Sequence, residues 1–157
     1  MLLNFLFCTY TGISLVDLER ITQDSIKVVK YKDIDYHIIK DNRQKSDTGF
    51  ITILTSEALE LIKIRKKESN SKFIFHVPSC MFYQMDIIRK KSGIEKHFTF
   101  HTSRHSFGTY WANKGVSEKV IMKMMGHKSK SANRIYSKIL TYGIISETLG
   151  KDYKEDH

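Results

Sequence analysis

Two histidines, an arginine and a later tyrosine stand at offsets that suit chemistry on a phosphodiester. HTSRHSF spans residues 101–107, GHKS follows at 126–129 and NRIYSK at 133–138. His101 and Arg104 are three residues apart at what reads as a helix start, so their side chains leave one face. An arginine there presents a rigid fork of donors that matches two phosphate oxygens, and the histidine adds another donor beside it. In MMGHKS, His127 follows a helix end where Gly126 lets the backbone turn and the ring emerge toward a partner. Nine residues beyond it lies Tyr136, preceded by Arg134. A tyrosine hydroxyl titrates at about 10, so its attack on phosphorus needs positive charge and hydrogen-bond donors around it. Arg104 and the histidines are of the types that supply both.

A leaving alkoxide also needs a proton. Lys45, in NRQKSDTG, sits on a turn expected beside the helical layer, and its ammonium is suited to that task if binding desolvates it. Lys40 and Arg43 on the same segment, and Lys128 and Arg134 near the tyrosine, are natural contacts for DNA phosphates. Each residue taken alone has a plainer alternative: a His101 that caps its helix, a His127 at the surface, a Tyr136 packed through its ring, a Lys45 that is one solvated lysine among several. Metal chemistry has little support. The seven histidines are not joined by a cysteine pair or an HExxH arrangement, and no cofactor is expected.

The elements that must position these residues read as one domain of 157 residues, 41% of them hydrophobic. Residues 2 to 9 form a core helix, TG breaks it, and SLVDLERI resumes it with Ser14 as N-cap and Asp17 making the reciprocal capping contact. SIKVVKY, DYHIIKD and GFITIL are Val- and Ile-rich runs between turns, the pattern of a small three-stranded antiparallel sheet with basic residues in its turns. SEALELIKIRKKE is a helix capped by Ser56, with Arg65, Lys66 and Lys67 outside, and KFIF is strand-like. CMFYQMDIIRKKSGI, RHSFGTYWANKG, SEKVIMKMMGH and SANRIYSKILTYGI read as four further helices. Phe107, Tyr110, Trp111 and the methionines at 122, 124 and 125 are expected in the core, as are both cysteines, Cys8 and Cys80. The fold class is therefore α+β, mainly helical.

Lys and Arg outnumber Asp and Glu by 26 to 17, a formal charge of +9, which favours a polyanionic partner: nucleic acid first, an anionic membrane second. No segment has the length of a membrane span, and two cysteines without a CxxC pattern fit a reducing, cytoplasmic setting.

The stretches YTGISLVDL, RQKSDTG, HTSRHSFGTYWANKG and IMKMMGHKSKSANRIYSKI together resemble the catalytic domain of the tyrosine recombinases, or phage-type integrases. The wording CTYTGIS and TFHTSRHSF is most like integrases of Bacteroidetes mobile elements. The resemblance implies a mainly helical catalytic domain with a small three-stranded antiparallel sheet. It implies that His101, Arg104 and His127 clasp the scissile phosphate of double-stranded DNA. Tyr136 would form a 3′-phosphotyrosyl bond, and Lys45 would protonate the departing 5′-hydroxyl. Reversal by another 5′-hydroxyl rejoins exchanged strands, conserving bond energy without ATP or metal.

Ser14 departs from this pattern, because it occupies the place of the family's first catalytic arginine. Losing a charge-assisted donor at a transition state costs on the order of 2 to 4 kcal/mol. A basic side chain from elsewhere, with Arg43 the candidate, or a partner group is expected to compensate. The alternative is a DNA-binding fragment or remnant without productive recombination; a type IB topoisomerase-like activity is a third reading. The family's N-terminal core-binding domain is expected to be absent, with residues 1–157 forming the catalytic domain alone. The tail from about residue 140 either packs on a neighbouring subunit or frays. The free chain is expected to be a monomer, with a tetramer on paired DNA sites and no membrane partner.

Overall fold

In a computed structural model, which describes residues 1–68, 71–127 and 143–148, the first helix, α1 (Leu2–Thr11), buries Asn4, Phe7, Cys8 and Thr11. Their 3- and 4-residue spacing puts them on one helical face. The helix stops at Gly12, whose φ of 68° is left-handed and whose N–H returns to Cys8 O at 2.9 Å. A Cβ at Gly12 would lie 2.6 Å from Phe107 Cδ1, so the glycine both ends α1 and lets a later helix lie against it. The short α2 (Leu15–Leu18) follows, then a 3₁₀ turn (Gln23–Ser25).

Strands β1 (Ile26–Tyr31), β2 (Ile34–Asn42) and β3 (Gly49–Ile53) form an antiparallel sheet in that order. Lys32 and Asp33, both at positive φ, make the two-residue turn between β1 and β2. Register sets the two faces: Ile38 opposes Ile53 and Lys40 opposes Ile51, while Ile39 opposes Thr52 and Asp41 opposes Phe50. Ile39 and Phe50 enter a core built on α1, whereas Ile38, Ile51 and Ile53 enter a second core on the other side. Because β3 is covered on both faces, GFITIL carries apolar side chains on both rather than alternating with exposed polar ones. Its polar member, Thr52, is fully buried and donates to Thr11 O at 2.6 Å, avoiding the roughly 1–3 kcal/mol cost of an unpaired buried hydroxyl.

The helices α3 (Ser56–Glu68), α4 (Met81–Lys91), α5 (Phe100–Asn113) and α6 (Glu118–Met124) complete the layers, with a helical turn at 143–147. Ile144 and Ile145 of that turn join Phe107, Trp111, Val120 and Met124 in the second core. The architecture is the expected one, mainly helical around a three-stranded antiparallel sheet.

Several local expectations give way to packing. Ser56 is the first helical residue, and Thr55 Oγ1 accepts from Ala58 N instead. KFIF is not a strand: Phe73 makes a single bridge to Thr22, while Ile74 and Phe75 turn into the first core. Cys80 is exposed, because it precedes α4 at the surface. Tyr110 is 51% exposed, with its ring edge to face against that of Trp111 at 5.1 Å between centroids. Arg65 turns inward to Asn4 Oδ1 at 2.6 Å, giving the buried amide its acceptor-side partner.

Candidate active site

Helix α5 is started by a capping box: Thr99 Oγ1 accepts from His101 N at 3.2 Å, and Thr102 Oγ1 accepts from Thr99 N at 3.1 Å. This fixes residues 101, 104 and 105 on the first turns. Arg104 points inward and is 7% exposed; His101 and His105 stay at the surface with their rings edge to face, 4.5 Å between centroids.

A buried guanidinium must be hydrogen-bonded. Arg104 donates through Nη1 to Gly12 O, and through Nη2 to Met125 O at 2.8 Å. Both acceptors are carbonyls at helix ends, that of α1 and that of α6, where unpaired carbonyls carry partial negative charge. The arginine is thereby oriented by dipoles and keeps its full charge. Burial first, and then the neighbouring Arg43, lower its pKa to about 10, so it remains a cation at neutral pH.

His127 reaches this arginine through the way α6 ends. Gly126, at φ 65°, donates to Lys123 O at 3.2 Å and His127 N donates to Met122 O at 2.9 Å, the paired bonds of a Schellman cap. The ring then lies with Nε2 at 3.2 Å from Arg104 Nη2. Burial, followed by Arg104, Arg43, His101 and His105, lowers the His127 pKa below its usual value. The ring is therefore mainly neutral at pH 7, and its Nε2 accepts from the arginine. Lys123 anchors the same helix end to the sheet, donating from Nζ to Gly49 O at 3.0 Å.

The third wall comes from the hairpin between β2 and β3. Asp17, 4% exposed, receives the Ser14 hydroxyl on Oδ2 at 2.5 Å and the Gln44 N–H on Oδ1 at 2.8 Å. Arg43 Nε stands 3.5 Å from the same Oδ2. The Ser14 hydroxyl also accepts from Asp17 N at 3.4 Å, so Ser14 is the N-cap that the sequence suggested. The reciprocal contact differs: the carboxylate takes the hydroxyl and the hairpin, not the backbone N–H of Ser14. Across the cleft, the stem of Arg43 lies over Gly126, where a Cβ would come within 2.6 Å of Cδ and 2.8 Å of Cγ.

The fold thus gathers Arg104, His127 and Arg43 with the Ser14–Asp17 pair. His101 is near enough for its charge to act on His127, and it edges an apolar cleft against Leu15, Met81 and Phe82. Lys45 is exposed at the hairpin tip, one residue beyond the tethered Gln44, with no hydrogen bond or ion pair to the cluster among the described residues. Lys40 lies apart on β2, where its charge acts on Lys123. Tyr136, Lys128 and Arg134 fall outside the described residues, as does most of the tail. Asp17 is the residue whose role the sequence did not reveal. A carboxylate on an otherwise apolar turn must find partners when buried, and that was the available signal. Among the described residues no three His, Cys, Asp or Glu side chains are grouped to hold a metal ion, and no helix is long and apolar enough to cross a membrane.

Residues 3–141 match the model of the phage integrase family, and the chain belongs to that family. It is 27% identical over 121 residues to the tyrosine recombinase XerC of Chlamydia pneumoniae, covering 68% of this chain and 38% of that protein. Over 52 residues it is 40% identical to the tyrosine recombinase XerD of Listeria monocytogenes, 33% of this chain and 18% of the relative. The fold is also that of the site-specific recombinase XerH bound to its difH substrate in a pre-cleavage complex, with a TM-score of 0.62 at 16% identity over 99% of this chain and 44% of XerH. The Tn1549 transposon integrase in complex with transposon right-end DNA gives a TM-score of 0.57 at 14% identity, over 92% of this chain and 57% of the integrase. The chain thus spans well under half the length of the two Xer relatives matched by sequence.

Proposed function

We propose that this chain is the catalytic domain of a site-specific DNA recombinase that cuts and rejoins strands through a 3′-phosphotyrosyl intermediate. The observation that carries the reading is the pair Arg104 and His127, 3.2 Å apart although 23 residues separate them in sequence, with a second guanidinium beside them. Such a site is cationic, preorganised and short of anions, as stabilising a phosphorane-like transition state requires.

In this reading Tyr136 Oη attacks the scissile phosphorus and forms the phosphotyrosyl bond while the P–O5′ bond breaks. The tyrosine proton passes to solvent water while Lys45 gives one to the 5′ oxygen and is reprotonated from solvent, so the step consumes no net acid. Arg104, His127 and His101 bind the non-bridging oxygens. Lys40, Arg43, Lys128 and Arg134 contact the backbone of double-stranded DNA, consistent with the +9 charge. The free chain is a monomer that assembles as a tetramer on paired sites in the cytoplasm, and its origin in a Bacteroidetes mobile element rests on sequence wording alone. Membership of the family and the pedigree of its relatives support DNA as the partner.

Ser14 favours a second reading, a DNA-binding module without turnover, because its hydroxyl is committed to Asp17 and brings no charge. A pool of nicked duplexes with a randomised centre separates the two. Wild type is expected to become covalently attached to a subset of duplexes, and Tyr136→Phe to bind the same subset without attachment. A wild type that retains duplexes but never attaches to any selects the binding module.

A further inference from the structure

The cluster holds one carboxylate and more cationic donors than that carboxylate can use. Asp17 offers two oxygens. Oδ1 is taken by the Gln44 N–H at 2.8 Å, and Oδ2 by the Ser14 hydroxyl at 2.5 Å. Arg43 Nε approaches Oδ2 to 3.5 Å, but without the alignment of a hydrogen bond, and it is buried with no hydrogen-bond partner. Among the described residues the Arg43 guanidinium makes no hydrogen bond at all, and its side chain is 20% exposed at the mouth of the site. Its Nε is the donor sealed from solvent without a hydrogen-bond partner, and a buried guanidinium N–H left so beside a second arginine is costly unless an anion arrives between them.

The placement of the stem is equally specific. Arg43 Cγ and Cδ cover the Gly126 backbone, the turn that delivers His127 to Arg104. The hairpin that carries Arg43 is itself fastened: Arg43 N donates to Thr48 O at 3.0 Å, Asp47 N to Arg43 O at 2.9 Å, and Gln44 to Asp17. Arg43 is therefore not a solvated turn residue. Its charge is felt by both Arg104 and His127.

We infer that Arg43, delivered by the β2–β3 hairpin, is the second guanidinium that clasps the scissile phosphate, and that Ser14 and Asp17 are positioning residues holding it in place. The inference rests on the strand-cleavage reading for its substrate and goes beyond it in moving a catalytic arginine from the start of α2 to the sheet. Ser14 suits this arrangement because it is small and gives Asp17 a neutral donor. An arginine at position 14 would set a third cation against one carboxylate. Lysine at position 43 would keep the charge but lose the planar fork that binds two phosphate oxygens at once.

Two measurements test the inference. In the first, the side-chain Nε–H resonance of Arg43 is followed by NMR as inorganic phosphate is added to the whole chain. Arg43 and His127 are expected to respond together with one saturation curve, and Asp17→Asn to weaken the Arg43 response several-fold. A His127 that responds while Arg43 stays silent overturns the inference. In the second, a nicked duplex recovered from the randomised pool is used to compare rates of covalent attachment. Arg43→Ala is expected to lose on the order of 100-fold or more, the usual cost of one transition-state donor, with Arg43→Lys recovering only part. On the same duplex with a neutral methylphosphonate at the scissile position, the Arg43→Ala defect is expected to shrink to about tenfold or less, which a merely structural role would not produce. The double variant S14R/R43A is expected to regain rate over R43A, since it returns a guanidinium to the site from α2. An Arg43→Ala rate equal to wild type, or a defect identical on both substrates, overturns the assignment of Arg43 while leaving strand cleavage standing. No attachment by wild type with Arg43 still answering phosphate overturns strand cleavage and leaves the anion clasp.

Discussion

Replacing Gly126 with alanine separates the two jobs this residue does. At φ 65° a non-glycine residue pays about 1–2 kcal/mol for the left-handed backbone. The new Cβ would also stand 2.6 Å from Arg43 Cδ, 2.8 Å from Cγ and 3.1 Å from Phe50 Cβ. The first two contacts are with a flexible stem, which relieves them by swinging away and so gives up its packing over Gly126 and its place beside Asp17, a further loss of about 0.5 kcal/mol. Swinging away also removes Arg43 from the phosphate site. For a chain of this size about 1 kcal/mol corresponds to roughly 2–4 °C in Tm, so the expected drop is roughly 3–10 °C. The Arg43 response to inorganic phosphate should be lost at the same time.

A double-mutant cycle makes the argument quantitative. In G126A/R43A the close contacts with the stem no longer exist, and the backbone strain and the 3.1 Å contact with Phe50 Cβ remain. The double variant is therefore expected to be more stable than the sum of the singles predicts, by about 0.5 kcal/mol or more, the size at which touching residues depart from additivity. Urea or thermal unfolding followed by circular dichroism reads the four stabilities. Strict additivity would mean that the Arg43 stem does not lie over Gly126, and the geometry proposed for the clasp would go with it.

Two further outcomes follow from the same cluster. Asp17→Asn keeps the shape of a buried side chain but removes the charge that receives Ser14 and Gln44; the expected loss is about 1–3 kcal/mol, with faster amide hydrogen exchange at Gln44, and unchanged exchange there would show that the hairpin is not tethered by Asp17. For His127 the folded-state pKa lies below the unfolded value of about 6.5, so the unfolded chain binds more protons in the window just below that value. Stability should be flat in this respect above about pH 6.5 and should fall as pH drops below it, while His127→Gln should show a shallower fall between pH 7 and 5. Equal slopes in the two proteins would refute the assignment of a depressed pKa to His127.

What the sequence made legible is what local rules control. The helix start before His101, the three-residue step to Arg104 and the glycine turn before His127 each follow from capping and spacing, and the 3.2 Å meeting of the two side chains follows from them once α1 and α6 are packed on α5. The sheet was equally readable, because its two turns and its apolar runs carry their own signals. The hairpin tip was not. Arg43 and Lys45 sit two residues apart, and no local rule says which turns inward; the tether from Gln44 to Asp17 decides it across 27 positions, leaving Lys45 at the surface. Asp17 was hidden for the same reason, since a serine followed three residues later by an aspartate looks identical whether it closes a helix end or anchors a distant loop.

The same distinction explains how the site keeps its charge. Had Arg104 been held by a carboxylate, the pair would have cancelled the field a phosphate needs, at a desolvation cost that the Coulombic gain need not repay. Its partners are instead the carbonyls of Gly12 and Met125, each exposed by a helix that ends in a left-handed glycine turn. Two glycines remote in sequence thereby supply neutral acceptors for one buried cation. Among the described residues the carboxylate beside it, Asp17, is largely satisfied by a hydroxyl and a backbone N–H. Positive charge accumulates at the mouth of the site because the acceptors that hold it are dipoles, and an incoming phosphate is the group that completes the balance.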